Sequence, residues 1–361
     1  MTNYIDEFRD KAVIQKIVDC LNTYSGRNIK IMEVCGTHTM AISRYGLRSL
    51  LPKSIELLSG PGCPVCVTPT GYVDSAVELA ENKNVIITTF GDMMRIPGNN
   101  STLLYKKAQG CNVQMVYSPL NSLEIARANP DKEVVFLSVG FETTTPVIAL
   151  SVLKAEAEKI KNFSVLTANK TMPEAIKALA GDGELALDGF IYPGHVSAII
   201  GTDFFSYVAY NMEKAGVVAG FEPLDILYSI NILLKNITEG KKVFENVYSR
   251  IVSKEGNTKA QQKMYEVFEP VDAVWRGIGM IPGSGLGLKE AYETFDAMKK
   301  FHMEPKDSPE PKGCMCGEVL KGKKRPHDCK LFKTRCTPEN PVGACMVSSE
   351  GTCAAYYKYG D

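Results

Sequence analysis

The chain has 361 residues, 45% hydrophobic and 23% charged, enough to bury a substantial core and to divide into two or three domains. Lysine plus arginine equals aspartate plus glutamate at 41 each, a balance that gives no sign of a nucleic-acid or membrane-surface partner. No apolar run of about 18 residues occurs, and the charged start MTNYIDEFRDKAVIQKIVDC lacks the apolar stretch of a signal peptide, so a cytoplasmic protein is expected.

Ile5, Phe8, Ile14, Ile17, Val18 and Leu21 recur at helical spacing and predict a helix within the first 24 residues. The apolar run 29–34 predicts a buried strand ending at Cys35, and 38–50 predicts a helix stopped by Pro52. The pattern then repeats. Strands are expected at 55–58, 85–90, 113–117, 133–139, 164–168, 189–192 and 216–219, and helices at 71–81, from Pro119, and at 147–161. Strands alternating with helices argue for parallel sheets of the α/β class. Residues 224–297 read as mainly helical, with the glycine-rich stretch GIGMIPGSGLGL (277–288) as a flexible turn, because it lacks the Gly-Lys-Ser/Thr of a phosphate loop. The Pro-rich segment after Phe301 reads as a linker or wrapping segment, and the chain from Cys314 onward reads as too weakly periodic to bury much apolar surface.

Cysteine is the anomaly: eleven in the chain, six of them (Cys314, Cys316, Cys329, Cys336, Cys345, Cys353) near its end. A chain of this size without an export signal more often uses such thiols for metal or redox work than for disulfides. CGTHTM (35–40) and PGCPVC (61–66) each follow an expected strand, where ligands of open α/β sheets bind, so the two motifs are expected to share a cleft. Cys35, at a helix start and three residues before His38, reads either as a nucleophile or soft metal ligand with a lowered pKa, or as a small buried cysteine beside a capping histidine. Cys63 and Cys66 suit reversible disulfide chemistry better than half a zinc site, because no second C-x-x-C follows; two inert thiols are the bland reading. The wide, irregular gaps of the last six cysteines favour a four-iron cluster over zinc, with disulfides third.

Other motifs have plain readings. The threonines of GFETTTP (140–146) suit helix capping, with Glu142 lining the cleft as the alternative, and His195 in PGH is a site base, a ligand or a packing residue. GFEP at 220 echoes GFET at 140, and Cys20 and Cys111 read as ordinary buried thiols.

MEVCGTHTMAI (32–42), LLSGPGCPVCVTP (57–69), VGFETTTP (139–146), GFEPLDIL (220–227) and CMVSSEGTCAAYY (345–357) together resemble the signature segments of the HypD family, in that family's order. The resemblance implies a role in [NiFe]-hydrogenase maturation. HypD proteins act with the chaperone HypC as the scaffold on which the Fe(CN)2CO unit is assembled; cyanide comes from HypE, supplied in turn by HypF. It also implies two α/β domains and a C-terminal [4Fe–4S] region. By this resemblance Cys35 matches the thiol holding the iron, with His38 assisting. Cys63 and Cys66 match a dithiol passing electrons, and Cys316, Cys329, Cys336 and Cys353 match the cluster ligands, leaving Cys314 and Cys345 as extra thiols. The expected division is 1–125 for the first α/β domain, completed by part of 225–300, 126–224 for the second, 225–300 as a helical return, and 301–361 as a small, irregular cluster region. A stand-alone thiol–disulfide oxidoreductase and a zinc-stabilised binding module are the competing readings.

Overall fold

The structure, a computed structural model, describes residues 6–360. The expected N-terminal helix is broken at Asp10. A single turn spans Asp6–Arg9, and the helix proper, Lys11–Asn22, starts where the Asp10 carboxylate accepts the N–H groups of Ala12 and Val13. Ile5 lies outside the described residues. This helix buries Val18 and Leu21 and leaves Cys20 on its outer side, exposed, so Cys20 is not the buried thiol expected; Cys111 is only half-buried.

All eight expected strands form: β1 (Ile29–Glu33), β2 (Ile55–Ser59), β3 (Val85–Thr89), β4 (Val113–Met115), β5 (Glu133–Ser138), β6 (Phe163–Thr167), β7 (Gly189–Pro193) and β8 (Ala215–Ala219). Short Val- and Ile-rich runs such as β3 are buried along their whole length, as parallel strands covered on both faces must be. With β9 (Phe244–Asn246) they make two parallel sheets, ordered β2-β1-β7-β8-β9 and β4-β3-β5-β6. The architecture is the expected α/β class with two parallel sheets. The sheets cut across the expected boundaries, however. β3 and β4 precede residue 125 yet pair with β5 and β6, while β7 and β8 return to β1. The chain therefore builds two of the five strands of the first sheet, then all of the second, then finishes the first.

The glycine-rich stretch is not a flexible turn. Residues Gly279–Leu288 form β11, paired antiparallel with β10 (Phe268–Trp275), so 225–300 carries a hairpin as well as helices. A Cβ added at Gly285 would meet the Ala273 Cβ at 2.7 Å and one at Gly287 the Val271 Cγ1 at 2.9 Å, which is why glycine recurs there. The segment after Phe301 does wrap: Ser308 donates to Asp74, and Lys306 pairs with Glu78. The C-terminal region buries more than its weak periodicity suggests. Val319, Leu320, Phe332, Met346 and Tyr356 join the same core cluster as Met32, Leu58, Phe190 and Tyr192 of the first sheet. Among the described residues no helix is long and apolar enough to cross a membrane.

Glu142, just past β5, ties the second sheet to the helix that follows β6. Its Oε1 accepts the N–H of Met172 at 2.9 Å, at the start of the helix Met172–Gly181, while Oε2 has no partner. The neighbouring threonines do not cap: Thr144, at the head of the helix Thr145–Ala157, makes no capping bond, and the Thr145 hydroxyl donates to the Phe141 carbonyl. Burial pushes the Glu142 carboxyl from 4.5 up to about 7. The fold thus holds this proton more tightly than the unfolded chain, and the stabilisation it gives at low pH is lost as pH rises from 4.5 through about 7. Glu142→Gln keeps the acceptor and removes the charge. In urea unfolding it should gain about 2–3 kcal/mol on the wild type between pH ~5 and ~8. An unchanged stability difference across that range would show that the carboxyl does not titrate in the fold.

Candidate functional site

In the first sheet the chain runs outward in opposite directions from β1 and β7, which are neighbours, so a crevice opens beyond their carboxyl ends. Cys35 lies there, two residues past β1, as the N-cap of the helix Gly36–Arg44. His195 lies there too, two residues past β7. Beneath Cys35 the fully buried Glu33 accepts the Cys35 N–H at 3.1 Å and the Thr39 hydroxyl at 2.6 Å, which pins the turn. The helix start does place N–H groups of Thr37 and His38 toward the Cys35 sulfur, but burial outweighs them and pushes the thiol up to about 12. The expected lowered pKa is therefore not found.

The His38 ring turns away from Cys35. Its Nε2 donates to the Gly220 carbonyl at 2.8 Å, Nδ1 has no partner, and burial lowers its pKa to about 4, so it is neutral. What His38 offers Cys35 is its backbone N–H. Phe221 is packed between the two histidine rings, 4.7 Å from His38 and 4.1 Å from His195, which gives the GFEP segment its place at the crevice. Glu350, from the C-terminal region, completes the wall. It accepts the Thr37 hydroxyl at 2.7 Å, and its Cβ approaches so close to Gly36 that an added Cβ there would meet it at 2.6 Å.

The two N-terminal thiol motifs meet as expected. Gly36 donates to the Gly62 carbonyl at 2.9 Å, and Gly62 lies flat on the Cys35 backbone. Past that contact the loop turns Cys63 and Cys66 inward, 3% and 0% exposed, with the Cys66 N–H aimed at the Cys63 sulfur at 3.3 Å. Both are free thiols.

At the C-terminal end Cys314, Cys316, Cys329, Cys336 and Cys353 line one enclosed basin with Phe332 and Met346. The four thiols expected as ligands are thus brought together, and Cys314 joins them. An added Cβ at Gly343 would stand 2.5 Å from both the Cys314 and Cys316 sulfurs, so only a glycine lets them close on this space. Burial pushes the Cys336 thiol up, although the Val342 N–H points at its sulfur at 3.3 Å. Among the described residues no three such donors converge as the ligands of a single ion do; the sulfurs surround a space instead. The donor set, all thiols, is of the kind that an iron–sulfur cluster or a zinc ion takes.

Cys345 does not line the basin. It is wholly buried between the basin and the C-x-x-C pair, with Cys316, Cys353 and Cys66 as its thiol neighbours. Those neighbouring thiols hold it below the ordinary cysteine range, while the Cys66 thiol points at the Ala344 carbonyl at 3.9 Å. Burial, with the contacts to Cys345 and Cys63, pushes Cys66 up.

A family profile described as "HypD: Hydrogenase formation hypA family" matches residues 10–360. The chain belongs to the HypD family. It is 44% identical to the hydrogenase maturation factor HypD2 of Bradyrhizobium diazoefficiens, over 99% of this chain and 97% of that protein. It is likewise 44% identical to HypD of Cupriavidus necator over the same shares, and 42% identical to HypD of Escherichia coli over 99% of this chain and 98% of that one. Membership makes this a hydrogenase maturation factor.

Sequence reasoning missed Glu33, Glu350 and the bridging position of Cys345. Glu33 had a signal, a carboxylate in an otherwise apolar strand just before a cysteine. Glu350 and Cys345 had none, because Thr37 and Cys66, which they reach, lie hundreds of residues earlier in the chain. The contact between the two thiol loops is directly testable. An added methyl on Gly62 would stand 2.4 Å from the N and Cα of Cys35, atoms that cannot yield without moving the loop. Gly62→Ala should cost about 3 kcal/mol in denaturant unfolding; wild-type stability would mean that the loops are not pressed together.

Proposed function

We propose that this chain, with a HypC-type chaperone, is the scaffold on which the Fe(CN)2CO unit is assembled, that Cys35 is its iron ligand, and that Cys63 and Cys66 exchange electrons with a [4Fe–4S] cluster held in the C-terminal basin. The observation that carries this reading is the succession of neighbouring buried cysteines from the Cys63–Cys66 pair through Cys345 to Cys316 and Cys353, starting one backbone hydrogen bond from the Cys35 turn. Cyanide would arrive from HypE, with HypF upstream.

The residues divide the work. Cys35 offers a soft sulfur to an incoming low-spin iron, the cargo, and gives up its proton when the metal takes its place. Glu33 and the Gly62 contact hold the turn while this occurs. His195, exposed at the crevice, and Glu350 are the ionisable side chains placed where a partner or ligand would approach. Cys63 and Cys66 together release two electrons and two protons when they join as a disulfide, and recover them on reduction. Four of the five basin thiols would hold the cluster, which when bound supplies one-electron transfer. The burial of Cys63 and Cys66 speaks against a stand-alone disulfide reductase, whose dithiol must reach an external substrate.

Protein purified without oxygen should carry about four irons and matching sulfide per chain. Cys329→Ser should lose them, whereas Cys345→Ser should keep them but slow reduction of a Cys63–Cys66 disulfide by dithionite, read by thiol labelling. Stoichiometric zinc with no iron would sink the basin assignment. Coexpressed with its HypC partner, the complex should show the infrared bands of bound CO and cyanide, and Cys35→Ala should abolish them while sparing the cluster irons. Bands retained in Cys35→Ala would remove that residue from the role.

A further inference from the structure

A second concavity lies on the far side of the dithiol loop. A cleft of about 880 Å³ opens beyond the carboxyl end of β6, walled by the β10–β11 hairpin and by the wrapping segment 305–310, with the first turn of the helix Thr70–Ala80 in its lining. No cysteine lines it. Its volume is that of a small-molecule site rather than of a bare ion.

Two cations are buried in its wall. Arg276 is 1% exposed; Nη2 donates to the Thr70 hydroxyl at 2.7 Å, but Nε and Nη1 have no hydrogen-bond partner. Lys170 is 3% exposed, with Nζ 3.5 Å from the Ala168 carbonyl and 5.9 Å from the centre of the Trp275 ring, and among the described residues no carboxylate pairs with it. Burial lowers its pKa to about 8. Cations stripped of water and left short of partners are costly unless an anion completes them.

The nearest anion is Glu310, on the wrapping segment. Its Oε1 stands 3.4 Å from Arg276 Nε and 3.4 Å from the Thr70 hydroxyl, so it neutralises the guanidinium loosely without filling its donors. Asp272 is engaged with the Gly283 N–H. The helix Thr70–Ala80 starts at Pro69 with no side-chain cap, and its aligned peptide dipoles add positive potential at that end.

We propose that this cleft binds an oxyanion-bearing small molecule through Arg276, Lys170 and the start of the helix Thr70–Ala80, and that the Glu310 carboxylate is the placeholder the ligand displaces. Phosphoryl and carboxylate groups share the required chemistry. The Arg276 N–H donates to the Val67 carbonyl at 2.9 Å, one residue past Cys66, so the bound ligand bears on the dithiol loop. The site is independent of the cluster and iron assignments above.

The test is calorimetric titration of the full chain, purified without oxygen, with inorganic phosphate, ADP and citrate. At least one should bind. Glu310→Gln, a change on the exposed segment, should bind it severalfold more tightly, and Arg276→Gln about tenfold more weakly, both with unchanged circular dichroism and iron content. Binding of ADP or phosphate without citrate assigns a phosphoryl ligand, and citrate alone a carboxylate one. No heat from any probe in either the wild type or Glu310→Gln overturns the proposal, as does a Glu310→Gln affinity equal to that of the wild type.

Discussion

The segment 344–347 is the constraint on which the rest of the molecule depends. Ala344 and Val347 belong to the core of the second sheet, whereas Cys345 and Met346 belong to the core shared by the first sheet and the C-terminal region. Four consecutive residues therefore take their environment from two sheets by turns. Arg95, just past β3, reinforces the join by donating to the Val347 carbonyl at 2.9 Å. Because the segment is fixed from both sides, the Cys345 sulfur has one place to be, between Cys66 and the basin thiols. A shift of one residue would exchange its environment for that of its neighbours and break the succession of cysteines.

Burial governs the chemistry more than local sequence does. A helix start ordinarily favours a thiolate, yet Cys35, 6% exposed, is driven to about 12 because the dry surroundings penalise charge more than two N–H groups relieve it. The same dryness keeps His38 neutral and the Glu33 carboxyl near 7. A thiol in that state resists stray oxidation and alkylation, which proceed through the thiolate. It reacts when a metal supplies the positive charge the surroundings lack.

Much of the fold was legible in the sequence because short apolar runs between helical patterns are a local signal, and β1 to β8 all fall where that signal put them. Which strands share a sheet was not legible, since β2 to β7 is a long excursion and no local feature announces the return. The β10–β11 hairpin was missed because its glycines suit a turn as well as a strand pressed against Val271. The thiol motifs were found from strand ends, and their meeting at Gly62 followed from the same rule. Cys20 was misplaced because periodicity shows that a face is apolar without saying whether an adjacent cysteine belongs to it. The threonines of GFETTTP have the right side chains for caps, but the backbone spends Thr145 on Phe141 instead. Arg276 and Lys170 carried no motif; only the geometry of the cleft shows that both are buried and poorly paired.

The Glu350 contact with Thr37 spans 313 positions of the chain. During synthesis the Cys35 turn is therefore made long before the side chain that walls it, and before the Cys345 sulfur that links its neighbour loop to the basin. Domains tend to fold as they emerge, N-terminal parts first, so the first sheet's opening strands must wait, unfinished, for β7 to β9 and then for Glu350. A chain cut short anywhere before that point keeps Cys35 but lacks a wall of its crevice. The ribosome thus acts as an unintended inspector: a truncated scaffold presents an incomplete crevice to incoming metal, and only a polypeptide translated past Glu350 can close it.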